Sequence, residues 1–149
     1  MEKAEVRVQK LYPEALLPHY GSEHAAGADL HAFLQEGAVT LSSGETKLIP
    51  TGLSFAIPEG FVGLIYARSG ISVKRGLAPA NKVGVIDSDY RGEVMVALYN
   101  QSGKAQTVEN GERIAQIVIT PYVKAEFSEA ETLEDTARGK GGFGSTGTK

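Results

Sequence analysis

The sequence predicts an all-β domain whose strands form a jelly-roll-like sandwich or barrel. Three observations support this fold class: short apolar and β-branched runs recur along the chain, turn-forming residues bound each run, and little of the chain could form helix. Short strands at this spacing are typical of sandwiches and barrels, in which strands do not alternate with long helices.

The predicted strands follow from the positions of the apolar residues. Val6, Val8 and Leu11 flank charged residues near the start of the chain. The later apolar runs are 48–49, 53–57, 61–66, 94–99 and 114–119, and the turn formers between them are 42–45, 58–60, 101–104 and 109–112. Only residues 69–74 and 128–137 could form helices, and both segments are short.

Composition places the chain among ordinary globular proteins and excludes several kinds of site. The 149 residues are 42% apolar and 22% charged, which suits one domain with a buried core. The net charge of -3 argues against a protein that coats nucleic acid. The absence of cysteine excludes a disulfide framework, a thiolate nucleophile and a cysteine-bound zinc site.

The same features bear on the expected location. A chain without cysteine suits a reducing compartment, and no apolar run is long enough to cross a bilayer. Residues 1–5 lack the apolar stretch of a secretion signal. We therefore expect a cytoplasmic protein without membrane or nucleic-acid partners, while a nuclear or organellar location stays open.

The segment 83–94 carries the most specific chemistry. Residues 83–86 are small and apolar, which predicts a buried strand, and Asp87 and Tyr90 follow directly. A carboxylate at the mouth of an apolar strand is poorly solvated and can act as a base, and an aromatic ring can hold a flat ligand. The segment predicts a site that activates water beside a ring-bearing substrate. In the alternative interpretation, Asp-Ser-Asp is ordinary turn chemistry and Tyr90 only closes a hairpin.

Residues 68–70, Arg-Ser-Gly, follow a predicted strand and could present a hydroxyl and backbone amides to an anion. For this triplet alone, a helix N-cap formed by Ser69 beside a solvent-exposed Arg68 is the favoured interpretation. Gln116 lies within an apolar run and needs partners, so it is either an internal tie or a ligand contact, and Asn81 is similarly ambiguous. Asp29 is predicted to organise a turn rather than to face a site.

Residues 138–149 form a glycine-rich tail with almost no side chains that can pack. The sequence therefore divides into a β domain, 1–137, and a tail, 138–149, that should be mobile in the free protein. A disordered end is the simplest interpretation. Phe143 favours another, because an aromatic ring among cations and hydroxyls can fold over a nucleotide as a lid.

The tail also contains a G-x-G-x-x-G string between Gly142 and Gly147, and these two glycines have the spacing of a Walker A loop. Both motifs require a preceding strand and a following helix whose N-terminus binds phosphate. Only two residues follow Gly147 here, and they are in the inverted order Thr-Lys. We reject both motifs.

Five segments, taken together and in order, resemble the motifs of the trimeric dUTP pyrophosphatase (dUTPase) family. They are 26–30, 68–70, 81 with 83–93, 111–116 and 138–147. Each is weak alone, but their order and spacing across nearly the whole chain are specific. Ala28 stands where the family usually has a larger apolar residue, and Ile71-Ser72 stands where leucine followed by alanine or glycine is common.

The resemblance implies a jelly-roll subunit, a homotrimer, and three active sites built at subunit contacts. It implies hydrolysis of dUTP to dUMP and diphosphate with Mg²⁺, which binds through substrate phosphates and waters rather than directly to the protein. Asp87 would be the general base, orienting and deprotonating the water that attacks the α-phosphorus. Tyr90 would lie under the deoxyribose, where a ribose 2′-hydroxyl would clash.

The resemblance also assigns the substrate contacts. The hairpin 81–95 would hold uracil through backbone groups, Ser69, Gly70 and Gln116 would contact the phosphate chain, and Arg68 would assist nearby phosphates or support the subunit contact. Arg138, Ser145 and Thr146 would reach the γ-phosphate, with Phe143 over the base. The substrate-binding residues expected on this basis are Arg68, Ser69, Gly70, Asn81, Gly84, Val85, Ile86, Tyr90, Met95, Gln116, Arg138, Phe143, Gly144, Ser145 and Thr146.

Two other functions compete with this one. The related dCTP deaminase group shares the fold but attacks the base, and a non-catalytic trimer would bind nucleotide or a protein partner as a regulator. The run 87–90 and the tail favour the pyrophosphatase, and a pure binder need not keep a base beside water.

Overall fold

The computed structural model describes residues 3–147, which contain eleven strands and one short helix. The strands are β1 (Arg7–Lys10), β2 (His19–Tyr20), β3 (Ala28–His31), β4 (Ala38–Leu41), β5 (Thr46–Ala56), β6 (Phe61–Tyr66), β7 (Leu77–Pro79), β8 (Gly84–Ile86), β9 (Glu93–Asn100), β10 (Gln106–Glu109) and β11 (Arg113–Pro121). The helix α1 is Ser69–Arg75. The all-β prediction is confirmed, whereas the finer jelly-roll description stays a prediction. The last two residues of the predicted tail, 148 and 149, lie outside the described residues, as do residues 1 and 2.

The strands form two antiparallel sheets and a separate strand pair. One sheet has the order β1-β5-β9-β7, the other has the order β2-β3-β11-β6-β8, and β10 pairs with β4. In the five-stranded sheet β11 lies between β3 and β6, so that Gln116 is opposite Asp29 on one side and Tyr66 on the other. This order brings three sequence-distant segments of the predicted site to one place.

Strand alternation explains the core. In β9, Val94, Val96 and Leu98 are buried while Met95 is exposed, because successive side chains point to opposite faces of a sheet. The other large, fully buried apolar side chains include Leu30, Leu41, Ile49, Leu53, Leu77, Val108 and Ile114. Each such side chain contributes roughly 1.5–3 kcal/mol through removal of apolar surface from water.

Strand β5 joins the two apolar runs that the sequence predicts as separate strands. The pairing register with β9 shifts between Pro50 and Ser54, and Gly52 within this irregularity has φ +69. A Cβ at Gly52 would also lie only 2.8 Å from the Cβ of Ala15. Glycine is therefore needed at this position for both conformation and space.

The predicted helix at 128–137 is wrong. Within the described part of the chain, residues 122–147 form neither helix nor strand. The apolar side chains of this segment are exposed, with Phe127 at 94% and Leu133 at 87%. A short helix without an apolar face to bury has too little tertiary support to be stable. The predicted boundary between residues 137 and 138 stays a prediction.

The predicted buried strand at 83–86 is shorter and more exposed than expected. Strand β8 begins at Gly84 and forms an edge of the five-stranded sheet, where only β6 pairs with it. Val85 is 60% exposed because it lies on the uncovered face of this edge. Five short strands of two to four residues each were not predicted: β2, β3, β4, β7 and β10.

Helix α1 is held mainly at its C-terminal end. Gly76 ends it in the left-handed conformation, with φ +66, and its N–H donates to the carbonyl of Ser72. Arg75 forms an ion pair with Glu112 and donates to the carbonyl of Thr107. These contacts tie the helix to β10 and to the turn that follows β10. No helix within residues 3–147 is long and apolar enough to cross a membrane.

Candidate functional site

An open cavity of about 430 Å³ lies between the segment 85–95 and strand β5. Its lining residues are Leu48, Val85, Ile86, Asp87, Tyr90, Glu93, Val94 and Met95. Leu48, Val85 and Met95 give it apolar walls, because all three side chains are exposed on this face. This shape suits a ligand with a flat ring, which would lie between the apolar walls and beside the carboxylate of Asp87 and the ring of Tyr90.

Tyr90 is fixed at the edge of the cavity. Its hydroxyl donates to the carbonyl of Glu93 at 3.0 Å, and its backbone N–H donates to the carbonyl of Asp87 at 3.2 Å. A Cβ at Gly92 would lie 2.7 Å from Cζ of Tyr90, so glycine leaves the space that the ring occupies. Tyr90 both closes the turn and lines the cavity, so the two interpretations of the sequence are compatible.

Asp87 lies on the boundary between two cavities. It lines the cavity described above and, with Val85, a second and larger one of about 920 Å³ that also includes Asp89 and Arg91. The guanidinium of Arg91 donates to the carbonyls of Ser88 and Tyr90 at 2.7 and 3.0 Å and so stabilises the turn. The expected poorly solvated carboxylate is not found in the single chain, where Asp87 is exposed, because edge strand β8 leaves it uncovered.

A second group of predicted residues surrounds Asp29. This carboxylate, in a residue only 7% exposed, accepts from Nε of Arg68 at 2.5 Å and from Nη1 of Arg113 at 3.3 Å. The prediction that Asp29 organises a turn is wrong, because Asp29 lies in strand β3, beside the strand β11 that carries Arg113. The buried carboxylate instead neutralises two cations.

Gln116 is an internal tie. Its side-chain Nε2 donates to the carbonyl of Ala67 at 2.8 Å and so connects the middle of β11 to the residue before Arg68. The structure therefore bears out one of the two interpretations of a polar side chain within an apolar strand. Contact with a ligand stays a prediction.

Ser69 is the first residue of α1 and not its N-cap. The N-cap is Arg68, whose side chain is only 24% exposed and paired with Asp29. No side chain caps the helix, and Ser69 and Gly70 are exposed. The interpretation of a serine cap beside a solvent-exposed arginine is therefore wrong, since tertiary pairing fixes the arginine.

His31, which the sequence analysis did not single out, lies next to the Asp29 group. Its Nδ1 is buried without a hydrogen-bond partner among residues 3–147. Burial lowers the pKa of His31 below its usual 6.5, Asp29 partly opposes this shift, and Arg113, Arg68 and His19 add to it. Pairing between β3 and β11 creates this environment, which no local pattern indicates.

The tail forms a third group and folds mainly on itself. Arg138 donates from Nε to the carbonyl of Gly141 at 2.9 Å, and the N–H of Ser145 donates to the carbonyl of Gly142 at 3.0 Å. Phe143 is fully exposed and has φ +51, and Thr146 is exposed as well. The cations, hydroxyls and ring predicted to bind substrate are thus presented to solvent.

Comparison with known proteins identifies the family. The dUTPase family model matches residues 14–147, which is most of the chain. The chain belongs to the dUTPase family. It is 50% identical over 131 residues to the deoxyuridine 5'-triphosphate nucleotidohydrolase of Rickettsia bellii (strain OSU 85-389), covering 88% of this chain and 87% of that protein. It is also 50% identical over 142 residues to the enzyme of the same name from Nautilia profundicola, covering 95% and 98%.

Solved structures agree with this assignment. The dUTPase of Staphylococcus bacteriophage 80alpha, solved with dUPNHPP, superimposes with a TM-score of 0.87 at 29% identity, covering 97% of this chain and 99% of that one. The dUTPase of phage phi11 of S. aureus superimposes with a TM-score of 0.78 at 26% identity, covering 89% and 99%. The strand order described above is therefore that of a dUTPase fold.

This dUTPase-family chain brings together only part of its predicted site. Val85, Ile86, Asp87, Tyr90 and Met95 share one cavity, and Gly84 packs behind them, with its Cβ position 3.2 Å from Ile65 Cβ. Asn81 is exposed beside this strand. Within the described residues, the lining of the cavity includes none of residues 68–70, Gln116 or the tail.

Three further residues line the cavity without having been predicted as site residues. Leu48 belongs to β5, and Glu93 and Val94 belong to β9. Leu48 and Ile49 read as one apolar run, but neighbouring residues of a strand face opposite sides, so one of the two had to face outward. The alternation of side chains along a strand was therefore the signal that could have predicted an outward-facing Leu48, which is 66% exposed.

The fit of this dUTPase-family chain to Mg²⁺ depends on the oxygen ligands that it offers. Among residues 3–147, no group of three or more acidic or histidine side chains could hold a metal ion. Mg²⁺ keeps several waters and is commonly bound by substrate phosphates with few protein ligands. Binding of Mg²⁺ through the phosphates of a nucleotide is compatible with these residues and stays a prediction.

Proposed function

We propose that this protein hydrolyses dUTP to dUMP and diphosphate. The observation that carries the proposal is the cavity in which Asp87 and Tyr90 flank apolar walls formed by Val85 and Met95. Membership of the dUTPase family supports it, as do the names of the relatives, which are deoxyuridine 5'-triphosphate nucleotidohydrolases.

Asp87 acts as the general base in this proposal. Its carboxylate accepts a hydrogen bond from a water, orients that water in line with the α-phosphorus, and takes its proton as the new P–O bond forms. The bond between the α-phosphorus and the bridging oxygen breaks, and diphosphate leaves. A positioned base of this kind contributes ~10² to 10⁴ in rate.

The cavity recognises the nucleoside. Backbone groups of the hairpin 81–95 hold uracil through hydrogen bonds. When cytosine binds instead, some of these backbone groups stay unpaired, and sites of this type discriminate between two substrates by ~10⁴ to 10⁵. The narrow wall formed by Gly84, Val85 and Ile86 excludes the methyl group of thymine. Tyr90 lies under the deoxyribose and leaves no room for a 2′-hydroxyl, so UTP is rejected.

The remaining groups bind the phosphates. Ser69, Gly70 and Gln116 contact the phosphate chain, and Arg68, held by Asp29, supports them. From the tail, Arg138, Ser145 and Thr146 reach the γ-phosphate, and Phe143 covers the base with Gly144 as its flexible neighbour. When bound, Mg²⁺ neutralises charge on the phosphate chain and on the leaving diphosphate.

We further propose that the active form is a homotrimer in which neighbouring copies complete each site. Two features support this: the single chain presents its predicted site residues as separate groups, and it exposes apolar side chains such as Leu16, Leu17 and Val73. The expected cytoplasmic location stays a prediction.

Diphosphate release from dUTP, dTTP, dCTP and UTP, measured in parallel with and without Mg²⁺, tests the proposal. We expect release of diphosphate from dUTP but not from the other three nucleotides, and we expect this release to depend on Mg²⁺. Conversion of dCTP to a uracil nucleotide without diphosphate would support the deaminase instead. Nucleotide binding by the folded trimer without any turnover would support a non-catalytic binder.

A further inference from the structure

Gly27, the residue before β3, faces the side chain of Gln116 in the neighbouring strand β11. A Cβ built at Gly27 would lie 3.0 Å from Cδ and 3.2 Å from Cγ of Gln116, and nearer still to its Oε1. The backbone of Gly27 is outside the left-handed region, so its conformation does not require glycine. What requires glycine is the space that the Gln116 side chain occupies.

The position of Gln116 determines where the next segment lies. With the amide in this place, Nε2 donates to the carbonyl of Ala67 at 2.8 Å. Ala67 follows β6 and precedes Arg68, the N-cap of α1, so this hydrogen bond holds the main chain just before residues 68–70. Asp29 of strand β3 holds the side chain of Arg68, whereas the hydrogen bond from Gln116 holds the main chain at Ala67.

We propose that Gly27 is a positioning residue of the hydrolytic site. By leaving space for Gln116, it holds residues 67–70 where they can bind the phosphate chain. This role rests on the proposed function, since it assumes that residues 68–70 contact the phosphates of dUTP. Gly27 itself touches neither the nucleotide nor the attacking water.

The group that a Cβ at position 27 would meet is the end of the Gln116 side chain and not packed backbone, which distinguishes this role of Gly27 from ordinary packing. The atoms that a Cβ at position 27 would meet belong to a flexible side chain, which can rotate away at low cost. Rotation breaks the bond to Ala67 and frees the main chain before α1. The ion pair between Asp29 and Arg68 stays in place, so the domain keeps its fold while residues 67–70 lose the hydrogen bond from Gln116.

The variants that test this are Gly27→Ala, Gln116→Ala and the double variant, with Gly21→Ala as the matched control. Gly21 has no atom within 4 Å of its Cβ position and an ordinary backbone conformation. For each variant we would measure kcat/KM for dUTP, the Kd of a non-hydrolysable imido analogue of dUTP, the Kd of dUMP, and Tm. The side-chain amide signal of Gln116 in a ¹⁵N NMR spectrum reports its position independently of activity.

We expect Gly27→Ala to lower kcat/KM by ~10- to 100-fold, which is the scale of a misplacement of about 1 Å at a reacting centre. The Kd of the triphosphate analogue should rise about tenfold or more while the Kd of dUMP, bound chiefly in the nucleoside cavity, changes less than about twofold. The Gln116 amide signal should shift. Because both changes act through one contact, the double variant should be no worse than Gln116→Ala alone.

Several results would overturn the role of Gly27. Among them are an unshifted Gln116 signal, unchanged kinetics beside an active wild type, equal weakening of dUMP and the analogue, and additive effects in the double variant. If Gly27→Ala does not fold, the double variant, in which the obstructed side chain is absent, must fold again. A wild-type protein that releases no diphosphate from dUTP would refute the proposed function instead. The amide signal of Gln116 would then still show whether position 27 controls the place of the Gln116 side chain.

Discussion

Nε of Arg68 lies 2.5 Å from Oδ1 of Asp29, although the two residues are 39 positions apart in the sequence. The other carboxylate oxygen accepts from Arg113 on strand β11. One nearly buried carboxylate therefore joins three segments: strand β3, the start of α1 and strand β11. Two of these segments, the start of α1 and strand β11, carry Ser69, Gly70 and Gln116, which are proposed to bind the phosphate chain, so fold stability and substrate binding depend on a shared contact.

Replacing Asp29 with asparagine should affect both properties. Asn keeps the shape of the side chain but leaves Arg68 and Arg113 without a counter-charge, and Arg68 is itself only 24% exposed. We expect the free energy of unfolding to fall by about 1–3 kcal/mol, together with a lower kcat/KM for dUTP. Denaturant unfolding and diphosphate release measure the two effects. Asp135→Asn, at an exposed position, is the control; stability equal to the wild type in D29N would contradict the pairing.

Replacing Asp87 with asparagine should remove turnover and keep binding. The variant retains the size of the side chain but lacks a group that can take the proton of the attacking water, so kcat should fall by ~10² to 10⁴. Calorimetric titration with a non-hydrolysable analogue should give a Kd close to that of the wild type. Asp89→Asn is a matched control, because Asp89 lies in the same turn but lines only the other cavity. An active D87N enzyme would exclude Asp87 as the base.

Deletion of residues 138–149 should leave the fold intact and strongly lower turnover. Within the described residues, the hydrogen bonds of the tail are made to other tail residues, such as Arg138 with Gly141, or to the nearby Thr136, so Tm should hardly change. Turnover should fall because the cations and hydroxyls for the γ-phosphate are lost. Phe143→Ala is a milder companion variant: with its fully exposed ring removed, KM should rise at constant Tm. Kinetics unaffected by the deletion would rule out the lid.

The stability of the protein should fall in mild acid because of His31. Burial lowers the pKa of His31 in the folded state below its usual 6.5, so the unfolded state binds more protons as the pH falls. The contribution of a neutral His31 is therefore fully present above about pH 6.5 and is lost as the pH falls through the lower, folded-state pKa. His31→Gln should flatten the decline in unfolding free energy between pH 7.5 and 5.

The matched control for His31 is the exposed His24. His24→Gln removes an exposed imidazole and gives the reference with which the slope of H31Q is compared. Denaturant titrations of the wild type and both variants across this pH range compare the slopes directly. Parallel slopes for the wild type and H31Q would show that His31 does not titrate differently in the folded and unfolded states.

The sequence by itself determined the fold class and the residue types that the proposed site contains. Strand β6 was predicted with the bounds that the structure has, since apolar runs bounded by turn formers depend on local period and turn geometry. The residue types around Asp87 and Tyr90, the triplet 68–70 and the glycine-rich tail were likewise visible, because each motif is contiguous in the chain.

Only the tertiary structure decided which of these pieces meet and which side chains are covered. Asp29 was predicted to organise a turn but is a paired carboxylate, and Val85 and Asp87 are exposed although a buried strand and a poorly solvated carboxylate were predicted there. The order of the strands determines both the pairing and the exposure. Gln116 reaches Ala67 only because Gly27 leaves it room. Such contacts join residues that are far apart in the chain, and their energy comes from packing and pairing between strands, which local patterns do not encode.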